Sequence, residues 1–224
     1  MSRLTWPLVV TSLVIGLSYP LLWDHLPDAA DMAVKGAGVG FLALAAALRG
    51  RSTDGRLLAC VMALGATGDV LLELSLAAGA AAFAVGHVVA ILLYRRNPRS
   101  GTDRKDWAIA VLVLLAAAAV PGLLLQGRPE ALPFTGYALL LGAMAAGAWL
   151  SRFPRRLVAA GALLFLASDM LIAFRMASET AGLGPPIWLL YYVGQLMIFL
   201  GVTSALPPRE RSSGGGGPAK LVEG

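Results

Sequence analysis

LLACVMALGATGDVLLEL, residues 57–74, reads as a lipid-soluble helix, yet it carries Asp69 and, one turn later, Glu73. A second run, LVAAGALLFLASDMLIAF from residue 157, repeats the pattern with Asp169. Apolar stretches of this length are what a bilayer-crossing helix requires. An ionised carboxylate at mid-membrane costs at least about 2.5–3.5 kcal/mol on insertion scales, so a helix carrying one turns it toward the bundle interior or a wet cavity.

The rest of the chain is of the same kind. Of 224 residues, 58% are hydrophobic and 14% charged, and mean hydropathy is +0.73. A soluble domain carries about a quarter charged residues, so the composition excludes one and points to a polytopic membrane protein. Apolar runs bounded by charges, Gly and Pro predict an all-α bundle of about eight transmembrane helices, at roughly 5–23, 30–48, 56–76, 79–95, 106–126, 131–150, 155–175 and 186–206. They form one integral-membrane domain over 1–206. Residues 207–224, ending SSGGGGPAKLVEG, read as a flexible tail, native or appended. The single cysteine, Cys60, rules out an internal disulfide and a thiolate metal cluster. The net charge of +5 is read as cationic loops rather than a nucleic-acid surface, and no nucleic-acid partner is expected.

Arg3 precedes an apolar run that ends at Trp23 with no small-residue cleavage site, so this run is expected to stay as the first helix. Basic residues set the orientation. With the N-terminus inside, Arg3, Arg49, Arg51, Arg56, Arg95, Arg96, Arg99, Arg104, Lys105, Arg152, Arg155, Arg156, Arg209, Arg211 and Lys220 are cytoplasmic, against Lys35, Arg128 and Arg175 outside. Both termini are therefore expected in the cytoplasm, which an even number of spans requires. Arg in excess of Lys, with short loops, points to a bacterial inner membrane. Trp6, Trp23, Trp107, Trp149 and Trp188 all fall near span ends and read as interfacial anchors.

The helices of Asp69 and Asp169 match. Asp69 lies twelve residues past Leu57 and Asp169 twelve past Leu157, and both helices run outward, so the acids sit at one depth. The next helices also echo, AVGHVV with His87 and YVGQLM with Gln195. We read two parallel four-helix halves, about 1–100 and 101–206.

Asp69 and Asp169 are the first catalytic candidates. Burial favours the neutral carboxyl, and two nearby carboxyls resist ionising together, so one can hold a proton while the other is charged. Acid–base hydrolysis uses that arrangement. An interhelical hydrogen bond by a protonated Asp, or pairing with Lys35, is the structural alternative. Glu73 shares a helical face with Asp69 nearer the outer surface, at a pocket mouth or among headgroups. Lys35 enters helix two from outside, where it can snorkel, bind a phosphate or pair with a carboxylate. His87, midway down helix four, is either a packing hydrogen-bonder or a group that orients an acid or a water. With only His25 besides, it makes a poor zinc set, so no metal is expected. Tyr192 and Gln195, three apart on one face, are expected to line the cavity, whereas Tyr191 can belong to the interfacial belt. Thr67 and Ser168 can bond their own helix backbone. GAGVG at 36–40 lies inside a span with no preceding strand and is helix-packing surface, not a nucleotide loop.

GATGDVLLE followed by AAFAVGHVVAILLY, and ASDMLIAF followed by YYVGQLMIFLG, resemble the paired motifs of the YhhN family, the lysoplasmalogenases. Lys35 sits where that family tends to carry Lys-Pro; here Gly36 replaces the proline. The resemblance covers about residues 5–205. It implies an integral-membrane hydrolase that cleaves the vinyl ether bond of lysoplasmalogens, releasing a fatty aldehyde and glycerophospho-ethanolamine or -choline. The family's acidic pair would fall on Asp69 and Asp169, with a lysophospholipid substrate, surrounding membrane lipid and no cofactor. Which acid donates the proton is open. A small proton-coupled transporter and a lipid-binding membrane protein are the competing readings. Against the transporter, neither half is expected to carry a Pro-broken helix at matching positions.

Overall fold

In the computed structural model, residues 5–22, 25–49 and 52–206 are described. Arg3, Trp23, Arg51, Arg209, Arg211, Lys220 and the tail from 207 lie outside them. The described residues form eight α-helices: α1 Thr5–Leu22, α2 Asp28–Arg49, α3 Thr53–Leu74, α4 Leu76–Arg95, α5 Arg104–Leu124, α6 Ala131–Leu150, α7 Val158–Ser178 and α8 Gly184–Ala205. All eight are long and apolar enough to cross a membrane. The chain is a polytopic helical bundle and an integral membrane protein, with spans shifted from the sequence-based bounds by only a few residues.

The ends of the site helices are set by short polar residues. Ser52 opens α3, its hydroxyl accepting from the Gly55 amide. Ser75 is the whole connection between α3 and α4: it is extended, ends α3, and accepts from the Ala78 amide at 3.4 Å to start α4. This one-residue hinge pins the last turn of α3, with Glu73, beside the first turn of α4. At the C-terminal end of α7, Arg128 donates to the Met176 and Ala177 carbonyls at 2.8 and 3.0 Å, filling acceptors the helix cannot satisfy itself.

Sequence neighbours pack as antiparallel pairs: α1 with α2, α2 with α3, α3 with α4, α5 with α6, and α7 with α8. The two groups of four meet where α4 packs on α6 and where α8 packs on α1, α2 and α3. Helices α7 and α8 are the most buried spans and α5 the least buried. Glycine permits the tightest crossing. A Cβ on Gly194 would fall 2.6 Å from the Gly161 carbonyl oxygen, and one on Gly161 would fall 2.6 Å from that of Gly194. The α3–α4 pair crosses with Gly86 opposite the Val61 carbonyl, a looser 3.9 Å.

One sequence-based expectation changes here, and the expected lack of a Pro-broken helix does not. Trp188 is not an interfacial anchor: it is 4% exposed and donates from its indole to the Gly16 carbonyl at 2.7 Å. Trp6 and Trp107, by contrast, are exposed. Prolines do occur at corresponding places, Pro20 in α1 and Pro121 in α5, but each lies in a last turn and the helix continues past it. The site helices α3, α4 and α7 run unbroken, and α8 has proline only in its first turn.

Candidate active site

The site occupies the end of the bundle marked by the α1–α2, α3–α4, α5–α6 and α7–α8 connections. A cavity of about 820 Å³ opens there, lined from α1, α2, α3, α4, α6, α7 and α8. Asp69, Asp169, Lys35 and Glu73 all line it. The two aspartates, 100 positions apart in sequence, therefore reach one chamber from α3 and α7. They are 1% and 5% exposed, which in a chain this apolar demands polar partners.

Each acid finds its partner in a tyrosine on another helix. Tyr191 of α8 donates to Asp69 Oδ2 at 2.8 Å, and Tyr137 of α6 donates to Asp169 Oδ2 at 2.7 Å. Each bond engages one oxygen of its carboxyl. Aromatic edges wall off the floor: Phe83, Phe165 and Tyr191 meet pairwise at centroid distances of 4.9–5.7 Å, edge to face.

Lys35 and Glu73 form an ion pair at the mouth, with side chains 17% and 34% exposed. Asp31, whose Oδ2 accepts from Tyr19 at 3.0 Å, and Arg175 also line this rim. The mouth is thus charged and the interior aromatic and aliphatic, the polarity profile of a single-chain amphiphile.

His87 and Gln195 do not line this cavity. They stand behind the tyrosines: His87 Nε2 lies 3.2 Å from the Tyr137 hydroxyl, and Gln195 Nε2 lies 3.5 Å from that of Tyr191. A methyl on Gly65 would sit 2.8 Å from the Gln195 amide nitrogen, so glycine leaves that amide its room. Tyr192, expected to line the cavity with Gln195, turns instead to α1. It is fully buried, bonds Ser12 at 2.9 Å and stacks on Trp188. On α8 the residue that reaches the acid is four before Gln195, not three. Thr67 bonds its own helix at the Ala63 carbonyl, whereas Ser168 reaches across to Ile187 of α8.

The sequence reading did not anticipate Tyr137. Its signal was a hydroxyl inside an otherwise apolar span, the same signal that marks the acids. Tyr191 was passed over because a tyrosine near a span end has an ordinary interfacial explanation. No group of three or more His, Cys, Asp or Glu side chains placed to hold a metal occurs among the described residues.

Fold and chamber together define an integral-membrane protein with paired intramembrane acids facing an amphiphile-sized cavity. The chain matches the sequence model of the YhhN family over residues 30–202 and belongs to that family. Lysoplasmalogenases of Mycobacterium bovis (strain ATCC BAA-935 / AF2122/97) and Mycobacterium tuberculosis (strain CDC 1551 / Oshkosh) are similar to it. Each is 30% identical over 181 residues, covering 75% of this chain and 69% of the relative. No solved structure matches.

Proposed function

We propose that this chain is a hydrolase that cleaves the vinyl ether bond of lysoplasmalogens, with Asp69 and Asp169 as the reacting acids. The observation that carries the reading is the convergence of the two carboxyls on one cavity of about 820 Å³, within the range of small-molecule pockets. The lysoplasmalogenase relatives supply the reaction class.

The chemistry follows from the bond. Protonating the β-carbon of a vinyl ether yields an oxocarbenium ion. Water adds to it, and the hemiacetal collapses to an aldehyde and an alcohol. The reaction needs a proton donor, an anion beside the cation and a base for the water. A protonated and an ionised carboxyl supply these, as in two-carboxylate glycosidases. With Oδ2 held by a tyrosine, the proton of a neutral Asp rests on Oδ1 and points into the chamber. On an ionised Asp, Oδ1 is the free anionic oxygen. The aromatic floor of Phe83, Phe165 and Tyr191 excludes water except where it is held and gives the cation π faces to lie against. No cofactor takes part in this scheme.

Lys35 meets the lipid phosphate at the mouth, exchanging Glu73 for it, and the alkenyl chain lies inward. Both termini face the cytoplasm of a bacterial inner membrane, which puts the chamber on the outer side. The match of Asp69 with Asp169, and of the Val61–Gly86 crossing with that of Gly161 and Gly194, supports two parallel four-helix halves.

The test is aldehyde release from a purified alkenyl lysophospholipid. Turnover that is lost in both Asp69→Asn and Asp169→Asn, with folding intact, bears the reading out. Flux into proteoliposomes without product would place the chain among transporters. Binding without turnover would make it a lipid carrier.

A further inference from the structure

Each tyrosine of the site has a single proton to give. Tyr137 gives its proton to Asp169 and Tyr191 to Asp69, so both phenol oxygens can only accept from behind. His87 Nε2 faces Tyr137 and must carry the ring proton, which leaves Nδ1 of the neutral imidazole as a bare acceptor. The same logic orients Gln195. Its Nε2 donates toward Tyr191, leaving Oε1 as an acceptor, and that oxygen is buried with no hydrogen-bond partner in the protein.

His87 and Gln195 line one internal cavity of about 10 Å³, distinct from the large chamber. Tyr94 lines it too, and its hydroxyl is likewise buried and unpartnered. The remaining walls are apolar, among them Val61, Met144 and Ile198. About 10–15 Å³ is the space one water needs, and a buried water makes about three hydrogen bonds. Two acceptors and one hydroxyl donor match such a molecule: it donates to His87 Nδ1 and Gln195 Oε1 and accepts from Tyr94.

We propose that this cavity holds one ordered water that ties His87 to Gln195, so that a single hydrogen-bonded chain runs Asp169–Tyr137–His87–water–Gln195–Tyr191–Asp69. His87, Gln195 and Tyr94 are then positioning residues that keep both phenols aimed at the acids. The chain orients and does not conduct protons, because the Gln195 amide cannot pass one on. Its catalytic consequence rests on the reading of Asp69 and Asp169 as the reacting pair; the water itself does not.

A water-resolving structure of the full chain, without substrate, tests the site directly. Density within about 3.2 Å of His87 Nδ1, Gln195 Oε1 and the Tyr94 hydroxyl is expected. A dry cavity, or a direct bond between Tyr94 and Gln195, overturns the proposal. Activity on an alkenyl lysophospholipid tests the chain. His87→Gln restores an amide donor and acceptor, the pair the other arm already uses, and is expected within about three-fold of the parent. His87→Leu and Gln195→Met each lose about ten-fold or more. Their double variant loses less than the product of the two by about three-fold or more, because both cut one chain. Tyr94→Phe, which preserves volume, loses about three-fold. Multiplicative losses, or His87→Gln as poor as His87→Leu, overturn the chain. A parent protein that releases no aldehyde defeats the reaction assignment, while the density still decides the water.

Discussion

Tyr137 and Tyr191 stand in the same relation to different acids. One donates from α6 to Asp169 at 2.7 Å and the other from α8 to Asp69 at 2.8 Å, each to Oδ2. Asp69 and Asp169 thus share a chamber without sharing a hydrogen bond. Each carboxyl is held by its own phenol, which on the reading proposed above leaves its second oxygen for the substrate.

Replacing either acid by its amide keeps the shape and removes the acid–base function. Asp69→Asn and Asp169→Asn are each expected to lower kcat/KM for aldehyde release by about 10²- to 10⁴-fold. The double variant should be little worse than the more damaging single one, because residues that act as a unit are not additive. Elution as an intact, monodisperse species would confirm that the loss is chemical.

Removing one phenol hydroxyl frees the carboxyl it holds. Hydrogen bonds to charged groups are worth about 1.5–3 kcal/mol, so Tyr137→Phe and Tyr191→Phe should each cost about 10- to 100-fold, in kcat more than in KM. Tyr192→Phe is the control. Its hydroxyl bonds Ser12 away from the chamber, and steady-state kinetics of that variant should stay close to the parent.

At the mouth, Lys35→Met should raise KM several-fold for a substrate bearing a phosphate headgroup. It should leave KM for an alkenyl glycerol without one unchanged. The partly exposed Lys35–Glu73 pair contributes only about 0–1 kcal/mol to folding, so the thermal midpoint should hardly move. Equal effects on both substrates would refute the phosphate role.

Gly194 and Gly161 leave no space for a methyl, and the facing atom in each case is a backbone oxygen that cannot swing away. Gly194→Ala or Gly161→Ala must spread α7 from α8, at about 1–3 kcal/mol. A fall of about 3–10 °C in the unfolding midpoint is expected. Because Gly194 adjoins Gln195, its variant should also lose turnover; a thermal scan and an aldehyde assay check the two effects separately.

What was readable in the sequence was whatever the bilayer penalises. Eight apolar runs, and the acids Asp69 and Asp169 inside two of them, stand out because hydrocarbon makes each polar exception costly. The placement of Tyr191 against Tyr192 was not readable. Both hydroxyls sit in one turn of α8, and only the packing of α8 against α1 and α3 sends Tyr192 to Ser12 and Tyr191 to Asp69. Tyr137 was missed because its partner, Asp169, is on another helix. His87 and Gln195 were singled out as polar residues inside spans, but sequence carried no sign that they stand behind the phenols rather than in the chamber.

The chamber sits in one end of the bundle, walled by helix ends and closed below by an aromatic floor. On the reading proposed above, a lysolipid enters from the leaflet on that side, with its headgroup level with Lys35. On the reading proposed here, degradation is therefore sided: lipid made in the other leaflet must first be flipped, the polar product departs into one aqueous compartment, and the aldehyde stays in the monolayer that supplied the substrate.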